Sequence, residues 1–318
     1  MSLLQRMKIN PQAAAREIEE FVKAQVKTFD KKGVVIGLSG GMDSTVCAYL
    51  CSRALGRGKV LALILPEKDS NPVNIEHARL VAETLQLHAL TIELTPILEL
   101  MGVYRLFSDD IRTDREKVEG LLETFTRTTG IPSLFSTGVS FLYGKKQPRL
   151  KKILKNLLLP YTEKVLALTV AKIRTRMIML YYQASLNNCL VVGTTDKSEW
   201  MIGFYDKYGD GANDITLLRH LYKTQIRQLA EYLGIPREIT QKPSSGDLMA
   251  GLPNEVVIGL SYEKLDQVLF ALESGIPDKE IAGEAGVSAK SYHAIKSAMA
   301  GERVRRNMPV YLNSELQD

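Results

Sequence analysis

Short apolar runs alternate along the chain with stretches whose apolar residues recur at helical spacing. The runs are rich in Val, Ile and Leu, a composition typical of strands buried on both faces of a parallel sheet. They predict strands at residues 34–38, 60–65, 89–94 and 189–194. The amphipathic stretches predict helices at residues 12–29, 44–55, 74–87, 173–186 and 223–234. Such alternation predicts an α/β fold built on a doubly wound parallel sheet, in which ligands bind at the carboxyl ends of the strands.

Two segments lie outside this alternation. Residues 104–165 contain the acidic stretch SDDIRTDREKVEG and the basic stretch GKKQPRLKKILK, and we interpret them as a helical insertion. A mobile flap and a dimer element are the alternative interpretations. The basic stretch is typical of a solvated helix face, and RNA binding is the weaker alternative because no aromatic residues are interleaved with the charges. Residues 261–318 predict a helical C-terminal segment packed on the main domain, which spans residues 1–260.

Part of that C-terminal segment, PDKEIAGEAGVSAKSYHAIKSAMAGERVRR, has the rhythm of a helix-turn-helix. Gly286 falls at the turn, and Ser288 is expected to be the N-cap of the second helix. Two short helices that close the domain are the simpler interpretation. A regulator or a tRNA-modifying enzyme is the alternative, and it predicts an affinity for DNA or tRNA that falls steeply with salt.

The composition is that of an ordinary soluble globular protein, with 318 residues of which 45% are hydrophobic and 24% charged. No apolar run approaches the roughly 20 residues that span a bilayer, and the start, MSLLQRMKINPQ, lacks the apolar core of a secretory signal. Cys47, Cys51 and Cys189 form no Cys/His cluster, so we expect core thiols in a reducing cytoplasm. The net charge of +5 is mild and compatible with an anionic nucleotide as ligand.

The most informative turn follows the first predicted strand, where VVIGL runs into SGGMDS at residues 39–44. Gly40 and Gly41 permit backbone conformations closed to other residues and let a ligand approach the main chain. The helix that starts near Ser44 has unpaired amide groups with partial positive charge, which favours an anion such as phosphate. A Walker loop and a dinucleotide fingerprint are both excluded, because the glycine and lysine spacings that define them are missing.

SGGMDS resembles the pyrophosphate loop of the ATP pyrophosphatases, which cleave ATP between the α and β phosphates. More specific blocks follow: VVGTTDKSE (191–199), GFYDKYGDGANDI (203–215), LYKTQIRQLAEYLGIP (221–236) and KPSSGDLMAG (242–251) are similar to consecutive signature blocks of NAD synthetase, and IRTRM (173–177) resembles its arginine motif. The resemblance covers nearly the whole chain outside the expected insertion. It implies an adenine nucleotide alpha hydrolase-like fold and the ATP-dependent amidation of deamido-NAD to NAD by ammonia, with release of AMP and pyrophosphate.

The resemblance also implies roles for particular residues. It assigns the cradling and charge neutralisation of the departing pyrophosphate, the catalytic role, to Ser39, Asp43 and Ser44, and it assigns a Mg²⁺ ion to Asp43 and Glu199. It assigns binding of the co-substrate ATP to Gly37, Leu38, Ser39, Gly40, Gly41, Met42, Asp43, Ser44, Thr194, Lys223 and Ser245. It assigns binding of deamido-NAD to Arg174, Lys207, Asp214 and Arg305.

Several of these residues also have plainer interpretations. Glu199 is alternatively a helix-start glutamate that stabilises the helix dipole. Lys223 is alternatively a solvated lysine, and Ser245 a residue that shapes a turn. The stretch KYGDGANDI is alternatively a surface turn, although it supplies both the cations that phosphates need and the carboxylates that ribose hydroxyls need.

The sequence departs from the family pattern at the substrate end. Val304 and Arg305 stand where the family usually has histidine and lysine, Val170 stands where an asparagine is common, and Leu252 begins the stretch that usually reads Gln-x-Asp-Glu. A pocket that lacks such polar groups binds its transition state less tightly. A related ATP-dependent amide ligase acting on another carboxylate is therefore the alternative function.

Free ammonia is the expected nitrogen source. Glutamine use requires a glutaminase domain with an activated nucleophile, and the residues before the first predicted strand are too few for one. A separate glutaminase partner is compatible with this expectation. The resemblance also implies a homodimer, and the helix that carries Met177, Met179, Tyr181 and Tyr182 is apolar enough to be buried on more than one side.

Overall fold

The chain, in a computed structural model, is described for residues 2–114, 116, 119, 120, 149–248 and 251–306, with the side chains of residues 110, 111, 149–162 and 304–306 outside that description. Over these residues the sheet consists of β1 (Gly33–Gly37), β2 (Val60–Ile64), β3 (His88–Thr91), β4 (Cys189–Gly193) and β5 (Ile215–Thr216). All neighbouring strands are parallel, and their order is β3-β2-β1-β4-β5. The chain thus winds outward in two directions from β1, which confirms the predicted doubly wound α/β fold.

Helices surround this sheet and connect its strands. In chain order they are α1 (Leu3–Arg6), α2 (Pro11–Thr28), α3 (Met42–Leu55), α4 (Pro72–Thr84), α5 (Thr95–Leu100), α6 (Asp109–Thr113), α7 (Arg149–Asn187), α8 (Lys197–Ile202), α9 (Lys223–Tyr232), α10 (Arg237–Thr240), α11 (Asn254–Ile258), α12 (Tyr262–Glu273), α13 (Asp278–Glu284) and α14 (Ala289–Arg306). Helix α4 begins two residues earlier than predicted because the Asn71 side chain accepts a hydrogen bond from Val73 N at 3.0 Å and a proline follows the cap.

Each face of the sheet is covered by its own layer of helices. On one face, Val34 and Ile36 of β1 belong to a buried cluster with α2, α3 and α9. On the other face, Val35 of β1 belongs to a buried cluster with α5 and α7. Successive strand residues point to opposite faces, so burial of both faces accounts for the unbroken apolar runs in the sequence.

Helix α7 is much longer than the helix predicted at residues 173–186. It has 39 residues, and its first part lies within the segment expected as an insertion, residues 104–165. At the other end of that segment, Tyr104 and Phe107 share a buried cluster with Leu168 and Met177. Residues 121–148 lie outside the described residues, so the limits of the insertion and the division of the chain into domains stay predictions.

The three C-terminal helices α12, α13 and α14 build a third buried cluster. Its members come from both ends of the chain and include Leu3, Met7, Tyr262, Leu265, Ile281, Tyr292 and Ala298. Gly286 has φ +60° at the turn between α13 and α14. The Ser288 Oγ accepts a hydrogen bond from Ser291 N at 3.1 Å, the predicted N-cap. The apolar face of this helix pair is thus covered by the rest of the protein.

The three cysteines are free thiols. Cys47 and Cys51 are buried in α3, and Cys189 is half-buried at the start of β4. Burial raises the pKa of Cys51 to about 12 and also raises the pKa of Cys47. Among the helices of the described residues, none combines the length and the apolar character needed to cross a membrane.

Candidate active site

The turn after β1 opens at the carboxyl edge of the sheet. Leu38 continues the strand by donating its N–H to Leu63 O at 2.8 Å, and the chain then leaves the sheet before α3 begins at Met42. Gly41 occupies the N-cap position and provides no side-chain cap. The amide groups of the first turn of α3 are therefore available to an anion or to water.

Gly40 allows this loop to lie against α4. Its φ is +69°, in the left-handed region. A Cβ at this position would stand 2.1 Å from Asn74 O and 2.9 Å from Ala78 N, both backbone atoms. Such distances are too short for any carbon atom, so this approach of the loop to α4 requires glycine.

Ser39 and Ser44 face each other across the loop, with 3.0 Å between their Oγ atoms. The Ser39 Oγ accepts a hydrogen bond from Gly41 N at 3.3 Å, and the Ser44 Oγ donates one to Gly41 O at 3.1 Å. Two hydroxyls and a backbone amide are thus held at the N-terminus of α3, where the helix dipole favours negative charge. The arrangement suits a phosphate group, and direct contact of these residues with ATP stays a prediction.

The Lys223 ammonium joins the loop after β1 to the loop after β4. Lys223 is the first residue of α9, and its side chain is fully buried. Its Nζ lies 2.7 Å from Asp43 Oδ2, 2.7 Å from Asp196 Oδ2 and 3.2 Å from Glu199 Oε1. Strands β1 and β4 are neighbours at the point where the winding of the sheet reverses, which is where such folds bind ligands. The structure brings Asp43, Glu199 and Lys223 together, and it excludes the plainer interpretation of Lys223 as a solvated residue.

The carboxylate of Glu199 is fixed from two sides. Glu199 forms a capping box with Asp196, whose Oδ1 accepts a hydrogen bond from Glu199 N at 2.7 Å. Glu199 is therefore also a helix-start glutamate, as its plainer interpretation held. Its Oε1 accepts a hydrogen bond from the Tyr262 hydroxyl at 3.0 Å, and that hydroxyl accepts one from Asn254 Nδ2 at 3.1 Å.

Negative charge is in excess around Lys223, because three carboxylates face one ammonium group. Burial disfavours the ionised form and raises the pKa of Asp196, and the charges of Glu199 and Asp43 raise it further. Burial by itself lowers the pKa of Lys223, but the attraction of the three carboxylates outweighs burial and raises the pKa well above its ordinary value. A divalent cation beside these carboxylates would offset the excess charge.

A Mg²⁺ ion fits this position. Asp43 Oδ1 is buried and has no hydrogen-bond partner among the described residues, and Mg²⁺ prefers oxygen ligands. No group of three or more His, Cys, Asp or Glu side chains in the described part of the chain could hold a metal ion alone. Mg²⁺ usually takes one or two carboxylates and completes its shell with phosphate oxygens and water. Asp43 and Glu199 are thus enough, provided that a phosphate ligand is bound beside them.

Comparison with known proteins decides the family. The profile of the NAD synthase family matches residues 14–122 and 147–309. This chain belongs to the NAD synthase family. Among its relatives, the NH(3)-dependent NAD(+) synthetase of Coprothermobacter proteolyticus is 38% identical over 264 residues, which cover 82% of this chain and 84% of that protein. The NH(3)-dependent NAD(+) synthetase of Methanocaldococcus jannaschii is 33% identical over 293 residues, which cover 92% and 93%.

Solved structures agree with this membership. The NH3-dependent NAD synthetase of Campylobacter jejuni, determined with a nitrate ion, is similar with a TM-score of 0.61 and 26% identity over 96% of this chain and 99% of that chain. The NMN synthetase of Francisella tularensis shares the fold with a TM-score of 0.68 and 24% identity over 96% and 100%. These likenesses confirm the adenine nucleotide alpha hydrolase-like fold.

Two of the remaining residues that the family resemblance assigned to ATP lie at the carboxyl ends of neighbouring strands. Gly37 ends β1 and Thr194 directly follows β4. The Ser245 Oγ accepts a hydrogen bond from Asp247 N at 3.1 Å, and the Ser245 backbone pairs with Pro253. Ser245 thus shapes a turn, as its plainer interpretation held, and its contact with ATP stays a prediction.

Arg174, which the family resemblance assigned to deamido-NAD, is paired within the protein. Its guanidinium donates to both carboxylate oxygens of Asp206, with Nε–Oδ2 at 2.8 Å and Nη2–Oδ1 at 3.0 Å. These hydrogen bonds raise the pKa of Arg174. The pair fastens the glycine-rich loop of residues 203–215 to α7, which gives Arg174 a structural role in addition to the substrate role that stays a prediction.

The other residues assigned to the substrate are spread around this loop. Asp214 accepts hydrogen bonds from Val191 N at 2.7 Å and from the Tyr181 hydroxyl at 3.1 Å, so it anchors β4. The Lys207 Nζ lies 5.6 Å from the centre of the Tyr208 ring. The side chains of Arg305 and Val304 lie outside the described residues. Their roles, and those of Lys207 and Asp214 in substrate binding, stay predictions.

Two positions that depart from the family pattern, Leu252 and Val170, are at least partly buried. Leu252 is buried, and Val170 is half-buried on α7. Each therefore puts an apolar side chain where the family usually has an amide.

Several residues of the site had not been expected from the sequence. Asp196 had one available signal, its spacing from Glu199, which is that of a capping box. Asp206 lies inside a signature block, but nothing in the sequence indicates that it pairs with Arg174. Tyr262, Asn254 and Lys242 act through contacts with distant parts of the chain, and no local pattern marks such contacts.

Proposed function

We propose that this protein is an ATP-dependent amide ligase that converts deamido-NAD to NAD, with ammonia as the nitrogen donor and AMP and pyrophosphate as the other products. The observation that carries the proposal is the buried Lys223 cluster, which joins the SGGMDS loop to the loop after β4. The NH(3)-dependent NAD(+) synthetases among its relatives support the choice of substrate and nitrogen donor.

The first step activates the acid. A carboxylate oxygen of the substrate attacks the α-phosphorus of ATP, the bond from that phosphorus to the bridging oxygen breaks, and pyrophosphate leaves with the electron pair. The amides of the first turn of α3, with Ser39 and Ser44, bind the departing pyrophosphate, and Lys223 orients Asp43 and Glu199. Mg²⁺ held by those two carboxylates would supply charge neutralisation to the phosphates.

The second step forms the amide. The ammonia nitrogen attacks the acyl carbon of the adenylate, the bond from that carbon to the AMP oxygen breaks, and the nitrogen loses a proton. Neither step needs a side-chain nucleophile, so this protein contributes positioning and fixed charges. Burial raises the pKa of Cys47 and of Cys51, the opposite of what a glutaminase nucleophile requires. A separate glutaminase that supplies the ammonia is compatible with the proposal.

One assay tests the acid substrate. The purified protein is given ATP, Mg²⁺ and ammonium with deamido-NAD, or with other carboxylates such as nicotinate mononucleotide, while AMP, pyrophosphate and amide are measured. We expect NAD with a kcat/KM of about 10⁴ M⁻¹s⁻¹ or better, within the usual enzymatic range. Pyrophosphate release with another acid, and none with deamido-NAD, would keep the ATP chemistry and overturn the substrate.

We also propose a homodimer formed through α7. Ile178, Tyr182 and Leu186 repeat every four residues along this helix and are 66%, 55% and 63% exposed. Met177, Leu180 and Ala184, on the opposite side, are buried in the core. A helix that is apolar on both sides needs a second partner, and a second copy of the chain supplies one. Light scattering should report a dimer that Ile178→Glu dissociates and that Phe29→Glu, an exposed control on the other layer, does not.

The proposed compartment is the cytoplasm, because free thiols persist in reducing surroundings. Binding of nucleic acid by α13 and α14 is not part of this proposal. A tRNA or DNA affinity that falls steeply with salt would restore that alternative.

A further inference from the structure

Lys242 reaches the loop after β1 from a distant part of the chain. Its Nζ donates hydrogen bonds to Gly40 O at 2.9 Å and to Asn74 Oδ1 at 2.6 Å, and it lies 3.2 Å from His77 Nδ1. The first acceptor belongs to the SGGMDS loop, and the other two belong to α4. One ammonium group thus ties the loop to the neighbouring helix.

The tie fixes the orientation of one peptide group. In a trans peptide the C=O of one residue and the N–H of the next point in opposite directions. Because the Gly40 carbonyl is held by Lys242, the Gly41 N–H is turned the other way, where it donates to the Ser39 Oγ at 3.3 Å. The hydrogen bond from Lys242 to Gly40 O therefore sets the direction in which the Gly41 N–H points.

Lys242 is itself held in place by its own segment. Asp247 accepts a hydrogen bond from Asn71 N at 3.0 Å, at the N-cap of α4. The Lys172 Nζ of α7 donates to Leu248 O at 3.1 Å. The end of the segment 242–248 is thus anchored to α4 and α7. Because this segment is fixed, the backbone of Lys242 is held in place while its side chain contacts the loop.

We propose that Lys242 is a positioning residue for the pyrophosphate loop: it holds the Gly40–Gly41 peptide so that the amide and serine donors face the departing pyrophosphate. An ammonium group has three N–H donors, and Gly40, Asn74 and His77 offer three acceptors. Lys242 therefore acts through the loop and leaves no donor for the phosphate itself. The proposal rests on the proposed function in one respect, the identity of the anion.

The experiment measures the affinity for inorganic pyrophosphate in the presence of Mg²⁺ by titration calorimetry, with adenosine as a second ligand. The variants are Lys242→Met, which keeps most of the side chain but removes the ammonium group, and Lys264→Met, at an exposed lysine on α12, as the control. A hydrogen bond to a charged group contributes enough that we expect the pyrophosphate Kd of Lys242→Met to rise about tenfold or more. The adenosine Kd should stay within about twofold, and Lys264→Met should match the parent protein.

Asn74→Ala separates positioning from direct contact, and it serves as well if Lys242→Met fails to fold. If Lys242 acts through the loop, removal of the Asn74 acceptor loosens the tie, so pyrophosphate binds several-fold more weakly and the double variant is no worse than Lys242→Met alone. If Lys242 touches phosphate directly, Asn74→Ala frees a donor and binding is unchanged or tighter, which overturns the proposal. Equal affinity of Lys242→Met and the parent protein also overturns it. Absence of pyrophosphate and ATP binding in the parent protein instead counts against the proposed function.

Discussion

Gly40→Ala should displace the loop after β1 from α4 and so reduce turnover, with some loss of stability. Gly40 has φ +69°, and the added Cβ would stand 2.1 Å from Asn74 O, whereas real Cβ contacts are almost never under 3.0 Å. The loop and α4 must therefore separate by about 0.9 Å. A misplacement of about 1 Å at a catalytic site can reduce the rate by about 100-fold.

Gly234→Ala is the matched control. Gly234 has φ +70°, and no heavy atom lies within 4 Å of the position that its Cβ would occupy. Both substitutions carry the left-handed penalty of about 1–2 kcal/mol, but only Gly40→Ala adds a collision with backbone. We therefore expect both variants to lose a similar conformational contribution to the free energy of unfolding, with a further loss for Gly40→Ala.

The turnover of each variant is measured as the rate of pyrophosphate release at saturating ATP, Mg²⁺ and ammonium. The free energy of unfolding is measured by urea titration followed by circular dichroism. We expect turnover to fall about 100-fold in Gly40→Ala and to stay within about twofold in Gly234→Ala. Turnover within about threefold of the parent protein in Gly40→Ala would refute the inference that this loop must lie against α4 for the reaction.

Further expectations concern charge and nitrogen source. Lys223→Met leaves three carboxylates without their cation, so it should lower the free energy of unfolding by about 3–5 kcal/mol in urea titrations. A second substitution, Asp196→Asn, should recover part of that stability because it removes one of the unpaired charges. An unchanged free energy of unfolding in Lys223→Met would contradict the buried cluster. Asp43→Ala should lower turnover by about 100-fold or more even at saturating Mg²⁺, and near-normal pyrophosphate release would remove Asp43 from the mechanism. Burial raises the pKa of Asp266 to about 6. Because the folded carboxyl group holds its proton more tightly than the unfolded one, its contribution to stability is complete below about pH 4 and is lost as the pH rises through 6. The excess stability of the parent protein over Asp266→Asn should therefore fall by about 3 kcal/mol between pH 4 and 8, and a difference that does not change with pH would disprove the shift. Ammonium should support amide formation, whereas glutamine freed of ammonia should not; equal activity with both would contradict free ammonia as the nitrogen donor.

The parts of the fold that depend on local pattern could be predicted from the sequence. The buried strands β1, β2 and β4 are short apolar runs, and their helical neighbours have apolar residues at regular spacing. β5 escaped prediction because Ile215–Thr216 is too short to show any periodicity. The length of α7 escaped it because the apolar residues before Arg174 are mixed with a basic stretch that is also typical of a surface segment.

The site was predictable to the extent that its residues lie in sequence blocks. Asp43, Glu199 and Lys223 come from three blocks, and the ends of parallel strands bring such blocks to one edge. What could not be predicted is which side chains pair inside the site. Asp196 competes for the same lysine, Asp206 takes the guanidinium of Arg174, and these pairings depend on the way the loops fold back in three dimensions.

The third buried cluster joins residues that are far apart in the chain and are therefore synthesised at different times. Leu3 and Met7 belong to the same buried cluster as Tyr292 of α14. At the usual ribosomal rate of roughly 5–20 residues per second, Leu3 is polymerised about 15–60 s before Tyr292. During that interval the strands of the sheet can already pair, while the cluster around Leu3 and Met7 still lacks the residues that α14 contributes. Until α14 has been made, the nascent protein therefore carries an incomplete apolar cluster, and its uncovered surface is where a chaperone or a protease would bind.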